Sequence, residues 1–185
     1  MVQLNAGTKE VTAVKDLSDL YQSMQVLAGL TAENFNIEGV VYTGDHWYFF
    51  NRGNGNSGQN IVFTVSGKQL TEGSKITFKT FQLPEIKGIR TSFTDAIQVG
   101  NKLYFLAAAE NTNSTYHDGE VLGSIIGRID LKTMKVDFTQ QISDHHKFEG
   151  LTLQQEGKDE ISFLLCEDND SDQLKAAIYL LKLKH

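Results

Sequence analysis

Two periods of apolar residues divide this chain. Between residues 17 and 28, Leu17, Leu20, Tyr21, Met24, Leu27 and Ala28 recur every three or four positions and predict one face of a helix. Asp16 or Ser18 can cap its first amides, and Gly29 can supply a left-handed C-terminal stop. Elsewhere the apolar positions alternate or run continuously and are rich in Val, Ile, Phe and Tyr, which predicts strands. Before the helix, residues 2–4 and 11–14 flank Asn5-Ala6-Gly7-Thr8-Lys9 and predict a hairpin. After it come three groups of predicted strands: 37–42, 47–51, 61–65 and 76–83; then 96–99, 103–107, 123–131 and 136–142; then 150–154, 161–166 and 176–183. Pro84 lies at the end of a run, where a missing N–H does least harm.

Each group begins on a similar phrase. Asn36-Ile37-Glu38-Gly39-Val40-Val41 returns as Lys147-Phe148-Glu149-Gly150-Leu151-Thr152, with a weaker copy at Phe93-Thr94-Asp95-Ala96-Ile97-Gln98. Repeats of about 50 residues, each with four short strands, predict the blades of a β-propeller. The expected fold class is therefore all-β, with four-stranded antiparallel blades and one short helix near the N-terminus. The expected divisions are a final hairpin of a preceding blade at 1–15, helix and linker at 16–35, blades at 36–83 and 92–142, and an incomplete blade at 147–185. The N-terminal hairpin resembles the outer pair of a blade, as in Ile129-Asp130-Leu131-Lys132-Thr133-Met134-Lys135-Val136. Propellers typically have at least four blades. About three blades form half a propeller, expected to associate with a missing N-terminal half or with a second chain as a homodimer, because open faces and unpaired edges invite pairing.

Composition narrows the function classes. The 185 residues are 40% hydrophobic and 22% charged, as in an ordinary globular domain. No apolar run approaches the ~18–20 residues of a membrane span, and no signal peptide is expected from the first residues. The compartment stays open between the cytoplasm and, if a leader has been removed, the periplasm. A net charge of −6 disfavours nucleic acid, which needs clustered Lys and Arg. Cys166 is the only cysteine, so no internal disulfide or thiolate metal cluster is expected, and its apolar strand predicts a buried packing role.

In an antiparallel hairpin the start of the first strand lies beside the end of the second. That geometry gathers Glu38 with Asn51, Arg52 and the loop 53–60, Asp95 with Glu110, Asn111 and the loop through Tyr116, His117 and Asp118, and Glu149 with Glu167 and Asp168. Glu38, Asp95 and Glu149 then point toward one mouth of the channel, where carboxylate oxygens suit calcium, with Asn51 able to add an amide oxygen. Two other roles are open to them: tying down a neighbouring blade by accepting backbone N–H bonds, or acid–base catalysis. Arg52 can hold an anionic ligand or serve as a salt-bridge partner. Asn51, Arg52, Glu110, Glu167 and Asp168 are the candidate ligand-binding set, and His146, in Asp144-His145-His146, is the candidate general base.

Two motifs are set aside. Gly53-Asn54-Gly55-Asn56-Ser57-Gly58 fits a dinucleotide fingerprint but precedes a strand, so no helix N-terminus awaits a pyrophosphate. Asp168-Asn169-Asp170-Ser171-Asp172 begins like a calcium loop, yet Gln173 replaces the required Gly and Tyr179 the bidentate Glu.

The succession Asp16-Leu17-Ser18-Asp19-Leu20-Tyr21, Asn36-Ile37-Glu38-Gly39 and Phe50-Asn51-Arg52-Gly53-Asn54 resembles an uncharacterised family of bacterial six-bladed propellers, over nearly the whole chain but only the C-terminal half of a member. Phe148-Glu149-Gly150-Leu151 is similar to the glutamate-glycine element of calcium-dependent propellers such as gluconolactonase, paraoxonase, strictosidine-synthase-like and phytase-esterase-like proteins. That resemblance implies a calcium site at the mouth, and Asp95-Ala96 departs from its Glu-Gly pattern. The expected function is a binding or scaffold module, with two alternatives: a calcium-dependent hydrolase of a phosphoester or lactone, and a protein-interaction module.

Overall fold

The computed structural model describes residues 1–53, 58–71, 73–111, 119–168 and 177–184, most of them in antiparallel strands. A hairpin of β1 (Val2–Leu4) and β2 (Val11–Val14) precedes helix α1 (Ser18–Ala28) and a single 3-10 turn at Ala32–Asn34. The first large sheet is β3 (Ile37–Tyr42), β4 (His46–Asn51), β5 (Asn60–Ser66) and β6 (Ile76–Phe81), hydrogen-bonded in that order. Next comes a small hairpin of β7 (Glu85–Ile86) and β8 (Ile89–Arg90), which sequence patterning did not indicate. Its turn residues Lys87 and Gly88 both take positive φ, 51° and 81°, as a tight two-residue hairpin turn requires. The second sheet is β9 (Ser92–Val99), β10 (Lys102–Asn111), β11 (Glu120–Asp130) and β12 (Lys135–Ser143), again in order. The third has three strands, β13 (Phe148–Glu156), β14 (Glu160–Glu167) and β15 (Ile178–Lys184).

Strand β10 explains why its run reads as continuously apolar. Leu103, Phe105, Ala107 and Ala109 pack toward the first sheet, while Tyr104 and Leu106 pack toward the third. Both faces are buried, so neither can be polar. Edge-to-face contacts from Phe50 to Phe93 and from Phe93 to Phe105, each 5.1 Å between centroids, join the first two sheets. The Phe105 ring fills the space that a side chain at Gly127, its cross-strand partner, would need.

The outer face of the first sheet is closed. Leu17, Leu20, Tyr21 and Met24 pack on Phe49, Ile61, Phe63 and Val65, so α1 covers a face that the strand pattern leaves open. Burying side chains of this size contributes about 1.5–3 kcal/mol each. Leu17 is the N-cap residue and makes no side-chain cap, but Asp16 just before it accepts the Ser18 N–H at 2.9 Å, and Gly29 ends the helix at φ 66°. The third sheet buries Ile161, Phe163 and Leu165 against the second. Cys166 corrects the expectation of a buried packing residue: it is exposed, because alternation along β14 turns it to the opposite face.

The first strands touch in sequence, β3 against β9 and β9 against β13. The glycine of the first repeated phrase permits this approach: a Cβ on Gly39 would stand 3.1 Å from Ala96 N. No described helix is long and apolar enough to cross a membrane.

Candidate functional site

The repeated phrases and the ends of the second strands meet at one end of the three sheets. Asn51, the last residue of β4, is fully buried and fixes the surrounding loops. Its Oδ1 accepts the Asn36 N–H at 2.9 Å, and its Nδ2 donates to the carbonyls of Asn34, Arg52 and Gln59 at 3.1, 3.2 and 3.2 Å. The sequence offers this amide to a ligand; the fold engages it with backbone. Asn60 works similarly between sheets, accepting the N–H groups of Gly53 and Phe93 and donating to Thr91 O.

The next residue, Arg52, is only 6% exposed and reaches all three sheets. Its Nη1 lies 3.3 Å from Glu38 Oε1 in the first sheet and 3.9 Å from Glu149 Oε1 in the third. Its Nη2 donates to Glu110 Oε1 in the second. Lys147, 2% exposed, sits within the same group: its Nζ is 3.0 Å from Glu149 Oε1, 3.4 Å from Glu110 Oε1 and 3.8 Å from Asp168 Oδ2. Four carboxylates thus surround two buried cations. Burial raises the Glu149 carboxyl above its ordinary value, with Asp168 pushing the same way and Lys147 and Arg52 opposing.

Asp95 has a different role. Its Oδ2 accepts the N–H of Leu151 at 2.7 Å, and its Oδ1 accepts that of Ala96 at 2.8 Å, so the carboxylate pins β9 to β13. Burial raises its pKa, the two backbone N–H groups counteract this, and the charge of Glu38 adds to the rise. Of the three repeat carboxylates, Glu38 and Glu149 join the Arg52–Lys147 network and Asp95 ties sheets together. Among the described residues, no three His, Cys, Asp or Glu side chains converge as metal ligands.

Glu167 lies apart from that network. Its Oε1 is 2.5 Å from His146 Nδ1, and its Oε2 accepts the Tyr179 hydroxyl at 2.7 Å. Burial works against ionisation of Glu167, but these two hydrogen bonds outweigh it and hold the carboxyl below its ordinary value. The His146 ring packs on His145, Tyr179 and Phe148 at 4.0, 5.1 and 5.6 Å between centroids. The backbone here is also fixed, since Ser124 Oγ donates to His146 O and accepts the Phe148 N–H.

The sequence reading placed Glu38, Asp95 and Glu149 at one mouth with Asn51, Arg52, Glu110, Glu167 and Asp168; the fold brings Glu38, Arg52, Glu110, Glu149 and Asp168 into one network and engages Asn51, Asp95 and Glu167 in other contacts. The sequence reading missed Lys147 and Tyr179. Lys147 stands just before β13 and two residues before Glu149, the spacing at which alternation puts strand side chains on one side, and that spacing was the available signal. The readings on Tyr116, His117, Asp118 and the segment 169–173 lie outside the described residues. No curated protein and no solved structure matches the chain. Residues 1–183 match a family of unknown function, DUF6929, and the chain belongs to that family.

Proposed function

We propose that this chain is a β-propeller binding module of about three blades whose ligand site is the mouth around Arg52 and Lys147. Three features support the architecture: sheets with their strands in chain order, first strands in contact from sheet to sheet, and an acidic phrase recurring at each first strand. The observation that carries the site is a convergence of carboxylates: Glu38, Glu110, Glu149 and Asp168, from three sheets, gather around Arg52 and Lys147. The ligand is a cation, and calcium is the one that carboxylate oxygens suit best. Glu38 and Glu149 would hold it, being partly exposed, with the more exposed Asp168 beside them and Asp95 behind them contributing charge.

Calcium titration followed by thermal unfolding tests this. Saturating the site about a hundredfold above its Kd stabilises the folded state by about 2.7 kcal/mol. The midpoint should rise in the wild type and respond weakly in Glu38→Gln and Glu149→Gln. An unchanged midpoint, or equal rises in all three proteins, overturns the assignment.

One observation favours a second reading, a calcium-dependent hydrolase of a phosphoester or lactone. Glu167 fixes the His146 imidazole through Nδ1 and leaves Nε2 for a proton from water or substrate. Calcium-dependent cleavage of chromogenic phosphodiester or lactone substrates, lost in His146→Gln, would support it. A wild-type protein that binds calcium and cleaves neither substrate class is a binding module.

A further inference from the structure

The N-terminal hairpin is a displaced outer half of a sheet, and its turn identifies it. In the β1–β2 turn the Lys9 N–H donates to Asn5 O at 2.9 Å, Asn5 Oδ1 accepts the Thr8 N–H at 3.0 Å, and Lys9 takes φ 62°. In the β11–β12 turn the Met134 N–H donates to Asp130 O at 2.7 Å, Asp130 Oδ1 accepts the Thr133 N–H at 2.9 Å, and Met134 takes φ 50°. The strand irregularities coincide as well. Leu4 pairs with Val11 and Gln3 with Ala13, passing over Thr12; Ile129 pairs with Val136 and Arg128 with Phe138, passing over Asp137. A shared turn, left-handed residue and bulge make β1 the counterpart of β11, and β2 the counterpart of β12.

That correspondence says which edge is missing a neighbour. On its other side β11 pairs with β10, whereas β1 pairs only with β2 among the described residues. The third sheet also has an unpaired edge: among the described residues its third strand, β15, pairs only with β14, at the place where β6 and β12 complete the other two sheets. Among the described residues, seven large apolar side chains are more than half exposed, and six of them lie on these elements: Val2, Leu4, Val11, Val14, Ile178 and Leu180. Exposure of this kind on unpaired strands marks a pairing surface.

We propose that two copies of this chain associate by strand addition, the β1 edge of one copy pairing with the β15 edge of the other. The sheet then runs β13, β14, β15 and continues into β1 and β2 of the second copy. A two-fold arrangement makes the contact twice and pairs both edges together. The edges that remain are first strands and β2, β6 and β12, all of kinds that the first two sheets already leave unpaired.

Sedimentation velocity over a concentration series tests this, with a species of twice the 20.6 kDa chain mass expected. Val2→Asp/Leu4→Asp and Leu180→Asp should each give monomer, and Val26→Asp, on the exposed side of α1, should leave the dimer intact. A monomeric wild type, or a dimer indifferent to both edge variants, overturns the proposal. Should an edge variant lose its circular dichroism spectrum, cross-linking decides. Val2→Cys and Leu180→Cys chains, each with Cys166→Ser, are mixed and treated with a short bismaleimide. A mixed cross-linked pair that neither chain forms alone supports the arrangement, and its absence overturns it.

Discussion

Replacing Arg52 by methionine probes the charge network most directly, because Met keeps much of the aliphatic stem and removes only the guanidinium. Arg52 is buried and contacts Glu38, Glu110 and Glu149, one carboxylate from each large sheet. A charge pair at about 3.3 Å attracts by roughly 5 kcal/mol at an effective dielectric of 20, most of it offset by desolvation. Deleting one partner of a buried pair leaves the other without compensation and costs about 3–5 kcal/mol. Lys147 decides where in that range the loss falls. Its ammonium is 3.4 Å from the same Glu110 oxygen and 3.0 Å from Glu149, so part of the compensation survives. The expected loss is about 3 kcal/mol, equivalent to roughly 6–12 °C in midpoint for a chain of this length. Urea unfolding at neutral pH, at one chain concentration so that association does not enter the comparison, gives the number. In a Glu110→Gln background the same substitution should cost less by about 1 kcal/mol or more, the coupling expected of groups in one network. A loss below about 0.5 kcal/mol, or equal losses in the two backgrounds, would show that the network does not hold the sheets together.

Asp95→Ala should destabilise by about 2–4 kcal/mol, since the Leu151 and Ala96 N–H groups each lose a charged acceptor; calorimetry measures it, and a change near zero would remove Asp95 as the pin between β9 and β13. Stability should also have a maximum at mildly acid pH. Asp95 and Glu149 are raised above 3.8 and 4.5 in the folded state, so their contribution is complete below those values and is lost as pH rises through the raised ones. Asp130, lowered to about 2 by hydrogen bonds from Lys102 and Thr133, contributes above 3.8 and loses that contribution as pH falls toward 2. The thermal midpoint should therefore climb as pH falls from neutrality through the raised values and drop again below 3.8 as Asp130 takes up its proton, and a profile flat over the upper range contradicts the burial of Asp95 and Glu149.

Much of the fold was legible because its signals are local. Alternating or continuous apolar runs along 37–51 and 96–107 predict strands, the spacing from Leu17 to Ala28 predicts a helix, and Gly29 ends it whatever lies nearby. The proximity of Glu38 and Arg52 was also legible, since hairpin geometry places them side by side with no knowledge of how sheets pack. Partnership across sheets was not. Asp95 and Glu149 occupy equivalent positions in their repeats, yet one accepts backbone N–H groups and the other an ammonium. The neighbours that decide this are Leu151, on a different strand from Asp95, and Lys147, at a position where the other two phrases have Asn36 and Phe93. Glu167 and Asp168 are consecutive and were read as one group. Alternation sends Glu167 to His146 and Tyr179, and Asp168 to Lys147. The exposure of Cys166 has the same origin, because a composition that reads as core does not say which face of a strand is covered. The sequence by itself determined strands, turns, the helix and the residues that local pairing gathers, since those depend on periods and spacings of a few residues. Only the tertiary structure decided that α1 closes the first sheet and that Arg52 and Lys147 are buried among carboxylates of three sheets. Burial and charge compensation depend on which distant segments meet, and that information is carried by packing.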